Sequence, residues 1–171
     1  MRPDETKNKE QQPARASKRR AAKGGAKAEA DAGAQPQQEG GPLDDARVVE
    51  ALRAAGDKKA AGLVVLDLRG VASFTDYFLI ASGANARQVQ AVADEVVERL
   101  KREGTRALRV EGYRTAEWIL LDYGDFIFHV FEEKARRFYD LERLWRDASR
   151  VELPPELAGE PAGGGQPAPE A

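Results

Sequence analysis

The stretch "EWILLDYGDFIFHVF", residues 117–131, decides the fold. "EWILLD" (117–122) and "DFIFHVF" (125–131) are apolar runs of strand length, and only Tyr123 and Gly124 part them. Two such runs across a short gap containing glycine predict a tight antiparallel hairpin. Side chains alternate along a strand, so Ile127, His129 and Phe131 share one face while Phe126, Phe128 and Val130 share the other. His129 is the single histidine of the chain, and Asp125 falls on its face. Four residues along a strand cover about 13 Å, far beyond hydrogen-bond or common-metal reach. Asp122 lies across the turn, near Asp125. The stretch therefore cannot form a local His/Asp dyad.

Working outward, "GLVVLDL" (62–68) and "TDYFLIASG" (75–83) read as buried strands joined by the turn "RGVAS", and "ALRVEG" (107–112) reads as a shorter strand. "PLDDARVVEALRAAGDKKA" (42–60) starts a helix, with Asp44 and Asp45 at its positive end and Val48, Val49, Leu52 and Ala55 as its apolar stripe. Gly56 is its expected stop. Asn85 caps a second helix whose stripe is Val89, Val92, Val96 and Leu100, with Gly104 beyond it. "EEKARRFYDLERLWRDA" (132–148) predicts one last helix with Phe138, Leu141 and Trp145 on one face. The order α-β-β-α-β-β-β-α predicts an α/β (α+β) fold, a mixed sheet of about five strands flanked by helices.

The 171 residues are 42 % hydrophobic and 33 % charged, but unevenly so. Residues 1–41 contain no Ile, Leu, Val, Phe, Tyr or Trp, and neither do those after Leu157. Such ends bury too little apolar surface to offset the entropy of ordering. They predict three parts: a disordered basic tail (1–41), a folded domain (42–150) and a disordered acidic tail rich in Pro and Gly (151–171). Between residues 7 and 27 stand Lys7, Lys9, Arg15, Lys18, Arg19, Arg20, Lys23 and Lys27 against Glu10 alone. That arm suits weak, sequence-independent contact with RNA or simple solubilisation. The chain has no cysteine, which excludes disulfides, thiolate zinc sites and thiol nucleophiles. With no apolar run of about 20 residues and no secretory signal, a soluble cytoplasmic protein is expected.

Catalytic chemistry finds little footing. Asp67, Asp76 and Asp122 stand at strand ends, where a magnesium site is conceivable, yet aspartate is common there for local hydrogen-bonding reasons. "SGANARQV" has one glycine where a phosphate loop needs several. No serine has an elbow motif around it. Trp118, Tyr123 and Phe126, beside Glu111, Arg114 and Glu117, fit either interface anchors or core.

Three blocks carry a resemblance: "TDYFLIASGANARQVQAVADEV", "EGYRTAEWILLDYGDFIFHVF" and "RRFYDLERLWRDA". In this order and at these separations they resemble the ribosomal silencing factor, or Iojap-like, family over roughly residues 44–148. The resemblance implies a fold of nucleotidyltransferase-like topology without the catalytic acids, and hence no enzyme activity and no cofactor. It implies docking on the large ribosomal subunit through its fourteenth protein, which blocks joining of the small subunit and represses translation when nutrients are limiting. The positions that carry over as a surface for that ribosomal protein are Glu111, Gly112, Trp118, Ile119, Leu120, Asp122, Gly124, Asp125 and His129. Tyr139 and Trp145 carry over as packing residues. The rival expectation is a magnesium-dependent nucleotidyltransferase-like enzyme using Asp67, Asp76 or Asp122. Exposed strand edges leave homodimer formation open.

Overall fold

Asp45 starts the first helix, its Oδ1 accepting the Arg47 backbone N–H at 2.9 Å. A computed structural model describes residues 40–161. In it a 3-10 turn (Pro42–Asp44) leads into helix α1 (Ala46–Asp57), and strands β1 (Ala61–Asp67) and β2 (Tyr77–Gly83) follow. Next come helix α2 (Ala86–Arg102) and strands β3 (Arg109–Glu111), β4 (Trp118–Asp122) and β5 (Phe126–Glu132). Two short helices, α3 (Glu133–Tyr139) and α4 (Leu141–Leu144), then strand β6 (Ser149–Val151) and a 3-10 turn (Pro155–Leu157) close the described chain. Asn85 caps α2 through Oδ1, which accepts from the Gln88 N–H at 2.9 Å. Gly104, at φ +89°, ends that helix region, with Thr105 N–H on Leu100 O and Gly104 N–H on Lys101 O in the pattern of a Schellman cap.

The six strands lie in the order β3-β4-β5-β2-β1-β6. The pair β2–β5 is parallel and the other four are antiparallel. The antiparallel pairs β3–β4 and β4–β5 close through short connections, β1–β6 joins strands far apart in sequence, and the parallel pair needs the long crossover through α2, β3 and β4.

This arrangement corrects the expected fold in two respects. The described residues form six strands rather than about five, because residues 149–151 pair with β1 at Asp67, Leu66 and Val65. The strand order is also not a nucleotidyltransferase-like topology, since the sheet is antiparallel throughout except at one central pair and ends on a strand that returns after the last helices. The acidic tail expected from residue 151 is shortened too. Leu157 is buried, and Glu160 exchanges backbone hydrogen bonds with Ala60 and Gly62. The basic tail, except for Gly40 and Gly41, lies outside the described residues.

Three local readings also shift. Gly56 sits inside α1 rather than ending it. The hairpin turn is Gly124-Asp125, not Tyr123-Gly124: Tyr123 N–H bonds Phe126 O at 3.0 Å, and Gly124 at φ +87° takes the first turn position. The single final helix breaks at Asp140, which adopts the left-handed conformation at φ 48° and ψ 55°. As a result Phe138 turns out to solvent while Leu141 turns in.

The two faces of the sheet are covered unequally. On one, α1 and α2 lay Val48, Leu52, Val89, Val92, Val96 and Leu100 over Val65, Leu79, Ile119, Leu121, Phe126, Phe128 and Val130. Every one of these is fully buried. Burial of each large side chain there contributes about 1.5–3 kcal/mol relative to exposure. On the other face, Val64, Leu66, Phe78, Ile80, Ile127 and Phe131 meet Ala135, Leu141 and Trp145. Among the described residues only short elements cover that face.

A half-covered aromatic face as the candidate docking site

The second face holds the candidate site. Cross-strand pairing sets Trp118 opposite Phe131, Leu120 opposite His129, and Asp122 opposite Ile127. On the outer side, Glu111 stands opposite Leu120. Four of the nine residues carried by the resemblance (Trp118, Leu120, Asp122 and His129) thus share one face, with Glu111 at its margin. Ile119 points the other way and is fully buried beneath the helices, so it cannot touch a partner. Tyr123 and Phe126, weighed as anchors, are buried on that same helix side and stack at 5.0 Å.

The remaining three shape turns. Gly112 lies at φ +78°, and a Cβ built on it would stand 2.0 Å from the Trp118 carbonyl oxygen. Gly124 forms the hairpin turn and receives the Asp122 side chain, whose Oδ1 accepts its N–H at 2.9 Å. Asp125 is held by Arg47 at 2.8 Å, which ties the turn to the start of α1.

Trp118 is both packed and presented. It is half-buried, its ring stacks on Phe131 at 5.0 Å and 27°, and Tyr139 lies 4.9 Å away. Its indole N–H donates to His129 Nδ1 at 3.0 Å. His129 is only 3 % exposed, and its other nitrogen, Nε2, has no hydrogen-bond partner among the described residues. The histidine therefore bonds a tryptophan and no acid.

Around this pair runs a chain of ring contacts absent from the sequence reading. Phe78 meets His129 edge-on at 4.5 Å and Trp145 at 5.6 Å. Phe74 meets Phe78 and Trp145 at 6.0 and 5.8 Å. At the other end Phe138 meets Tyr139 at 5.1 Å. The outer members are open to water: Phe74 is 58 % exposed and Phe138 81 %. A connected group of exposed large apolar side chains marks an interaction surface more often than scattered ones do. Phe74 carried one legible signal, an aromatic ring in the connection between two strands. Phe138 carried none, because its exposure follows from the break at Asp140.

Burial pushes the His129 pKa down to about 3, against an ordinary value near 6.5. Between these values the unfolded chain binds the proton and the folded chain does not. This contribution is therefore fully favourable above about pH 6.5 and is lost as the pH falls below it, at up to about 1.4 kcal/mol per pH unit. Urea unfolding at pH 7 and pH 4.5 should show that loss, and His129→Leu should remove this share of it. An unchanged slope in the variant would contradict the assignment.

Two of the three carboxylates proposed for magnesium, Asp67 and Asp122, are otherwise engaged. Asp67 receives Arg69 at 2.7 and 3.0 Å, and that hydrogen bonding lowers its pKa. Asp122 serves the turn. Asp76 is raised by burial and then by the charge of Asp125. Among the described residues no group of three or more His, Cys, Asp or Glu side chains could hold a metal. No described helix is long and apolar enough to cross a membrane. Arg136 is mostly buried and bonds Glu142, Ser82 and the Gly62 carbonyl.

Comparison with known proteins agrees on one family. The family model described as "Ribosomal silencing factor during starvation" matches residues 43–170. The chain is 44 % identical over 103 residues to ribosomal silencing factor RsfS of Halalkalibacterium halodurans, covering 60 % of this chain and 88 % of that one. It is 40 % identical over 103 residues to RsfS of Bacillus subtilis, covering 60 % and 87 %. To the chloroplastic protein Iojap of Arabidopsis thaliana it is 30 % identical over 113 residues, 66 % of this chain and 47 % of that one. A crystal structure from Bacillus halodurans matches with a TM-score of 0.55 at 42 % identity, covering 60 % of this chain and 93 % of that one. One from Chromobacterium violaceum matches with a TM-score of 0.56 at 33 % identity, covering 61 % and 84 %. These matches assign the six-stranded sheet to a fold of its own rather than to the nucleotidyltransferases. The chain belongs to the ribosomal silencing factor (RsfS, Iojap-like) family.

Proposed function

We propose that this chain represses translation by docking its half-covered aromatic face on the large ribosomal subunit, at that subunit's fourteenth protein, where it keeps the small subunit from joining. Family membership supports binding to the large subunit and a regulatory, non-catalytic role. The observation that carries the choice of face is the connected row of rings around Trp118, with Phe74 and Phe138 exposed at its ends. Glu111, Leu120 and Asp122 edge it, while Gly112, Gly124 and Asp125 set its shape. Apolar anchors framed by polar residues are how protein partners are held. Residues 42–150, extended to Glu160, form the ribosome-binding domain in this reading, and the basic arm before it adds weak, salt-sensitive contact with RNA.

The test is co-sedimentation of the full chain with purified large and small subunits, with light scattering to follow subunit joining. The chain should pellet with large subunits alone and suppress joining at stoichiometric amounts. Failure to pellet with them, or normal joining in its presence, would overturn the proposal.

A further inference from the structure

A buried histidine in the middle of an apolar strand needs a reason. Its neighbours across the strands are Leu120 and Ile80, and Phe78 lies against its ring. Nδ1 accepts the Trp118 indole N–H, so in neutral imidazole the proton sits on Nε2. That N–H is buried without a partner, a cost that an apolar residue of similar size would avoid. The one specific contact returned for that cost is the acceptor it offers to Trp118.

Resting on the docking face described above, we infer that His129 is a positioning residue: it fixes the Trp118 indole against Phe131, so that the ring meets the partner already ordered. A half-buried tryptophan without this acceptor would turn its N–H toward water. Binding would then have to immobilise the ring as well as cover it. The arrangement also specifies the contact chemistry. The indole N–H is spent inside the protein, so the partner meets the ring's exposed π surface and edge. An aliphatic side chain or a cation suits that surface, whereas a hydrogen-bond acceptor aimed at the indole N–H does not.

Two substitutions in the full chain separate positioning from packing. His129→Leu keeps bulk and removes the acceptor; His129→Asn places a carbonyl oxygen near the Nδ1 position. Two readouts apply: affinity for purified large subunits, and solvent exchange of the Trp118 indole proton by NMR. The chain has two tryptophans, and Trp145→Phe assigns the signals. His129→Leu should expose the indole proton to exchange at least about tenfold faster and weaken binding about three- to tenfold. His129→Asn should keep both within about twofold of the parent.

Several results would overturn the inference: a folded His129→Leu that binds like the parent, an indole proton still protected in it, or equal losses in both variants. If His129→Leu does not fold, His129→Asn decides alone, and loss of protection and affinity there sinks the idea. Should Trp118→Ala itself bind like the parent, the docking face falls and this role with it. A loss in Trp118→Ala with none in folded His129→Leu removes the positioning role alone.

Discussion

Trp118→Ala is expected to weaken binding to the large ribosomal subunit by about 30-fold or more. Truncating a central aromatic anchor typically costs at least about 2 kcal/mol of binding, and each 1.4 kcal/mol is tenfold. Trp118 has the attributes of such an anchor. It sits mid-face, its inner side is held by Phe131 and its N–H by His129, and its outer part remains open. The same substitution strips packing from Phe131 and Tyr139, so folding stability should drop by about 2 kcal/mol as well. Phe138→Ala separates the two effects. Its ring is 81 % exposed, so stability should stay within about 0.5 kcal/mol while binding weakens. Titration of labelled protein with large subunits, beside thermal melts of each variant, reads both quantities. Parent-like affinity in both folded variants would place docking elsewhere.

Gly112→Ala is the second large effect, and it acts on folding. At φ +78° an added Cβ is strained by itself, and it would lie 2.0 Å from the Trp118 carbonyl, a backbone atom in the first residue of β4. Backbone cannot swing aside as a flexible side chain can. Relief requires the 112–117 loop or the start of β4 to move, and β4 is locked between β3 and β5. The expected loss is about 3 kcal/mol or more, measured by urea unfolding. A loss below about 1 kcal/mol would mean that the loop relaxes freely. Gly124→Ala makes the comparison. Gly124 also has positive φ, but the nearest atom to its added Cβ is a Leu108 side-chain carbon at 3.4 Å, so its cost should be the smaller.

Much of the fold was legible because the relevant signals are local. Asn85 and Gly104 bracket α2 through caps that depend on a few adjacent residues. Alternation in 125–131 separated the Phe126 and Phe128 side from the His129 and Phe131 side, and the structure buries the two sets in different clusters. It also kept His129 away from the aspartates. What was not legible depends on long-range pairing. The three residues of β6 carry almost no apolar signal, and they form a strand because the edge of β1 is there to receive them. The nucleotidyltransferase-like topology failed for the same reason: strand order is decided by which edges meet.

The proposed docking face was legible in part. Trp118, Leu120 and His129 fall together because period-two spacing and one turn determine them. Ile119 was carried over with its neighbours, although alternation alone turns it to the opposite face. Phe74 and Phe138 join the surface through the exposed loop after β1 and the helix that ends at the left-handed Asp140, neither of which has a periodic signature. Tyr139 and Trp145, expected as plain packing residues, each keep one side on the open face.

The most direct measurement is a photocross-link. The full chain is prepared with p-benzoylphenylalanine in place of Phe138, and separately in place of Tyr113, which lies at the groove beside α2 on the opposite side of the sheet and bonds Asp94. Each is irradiated on purified large subunits. The docking face described here predicts a cross-link from position 138 to the subunit's fourteenth protein and none from position 113. A cross-link from position 113 with none from position 138 would contradict it.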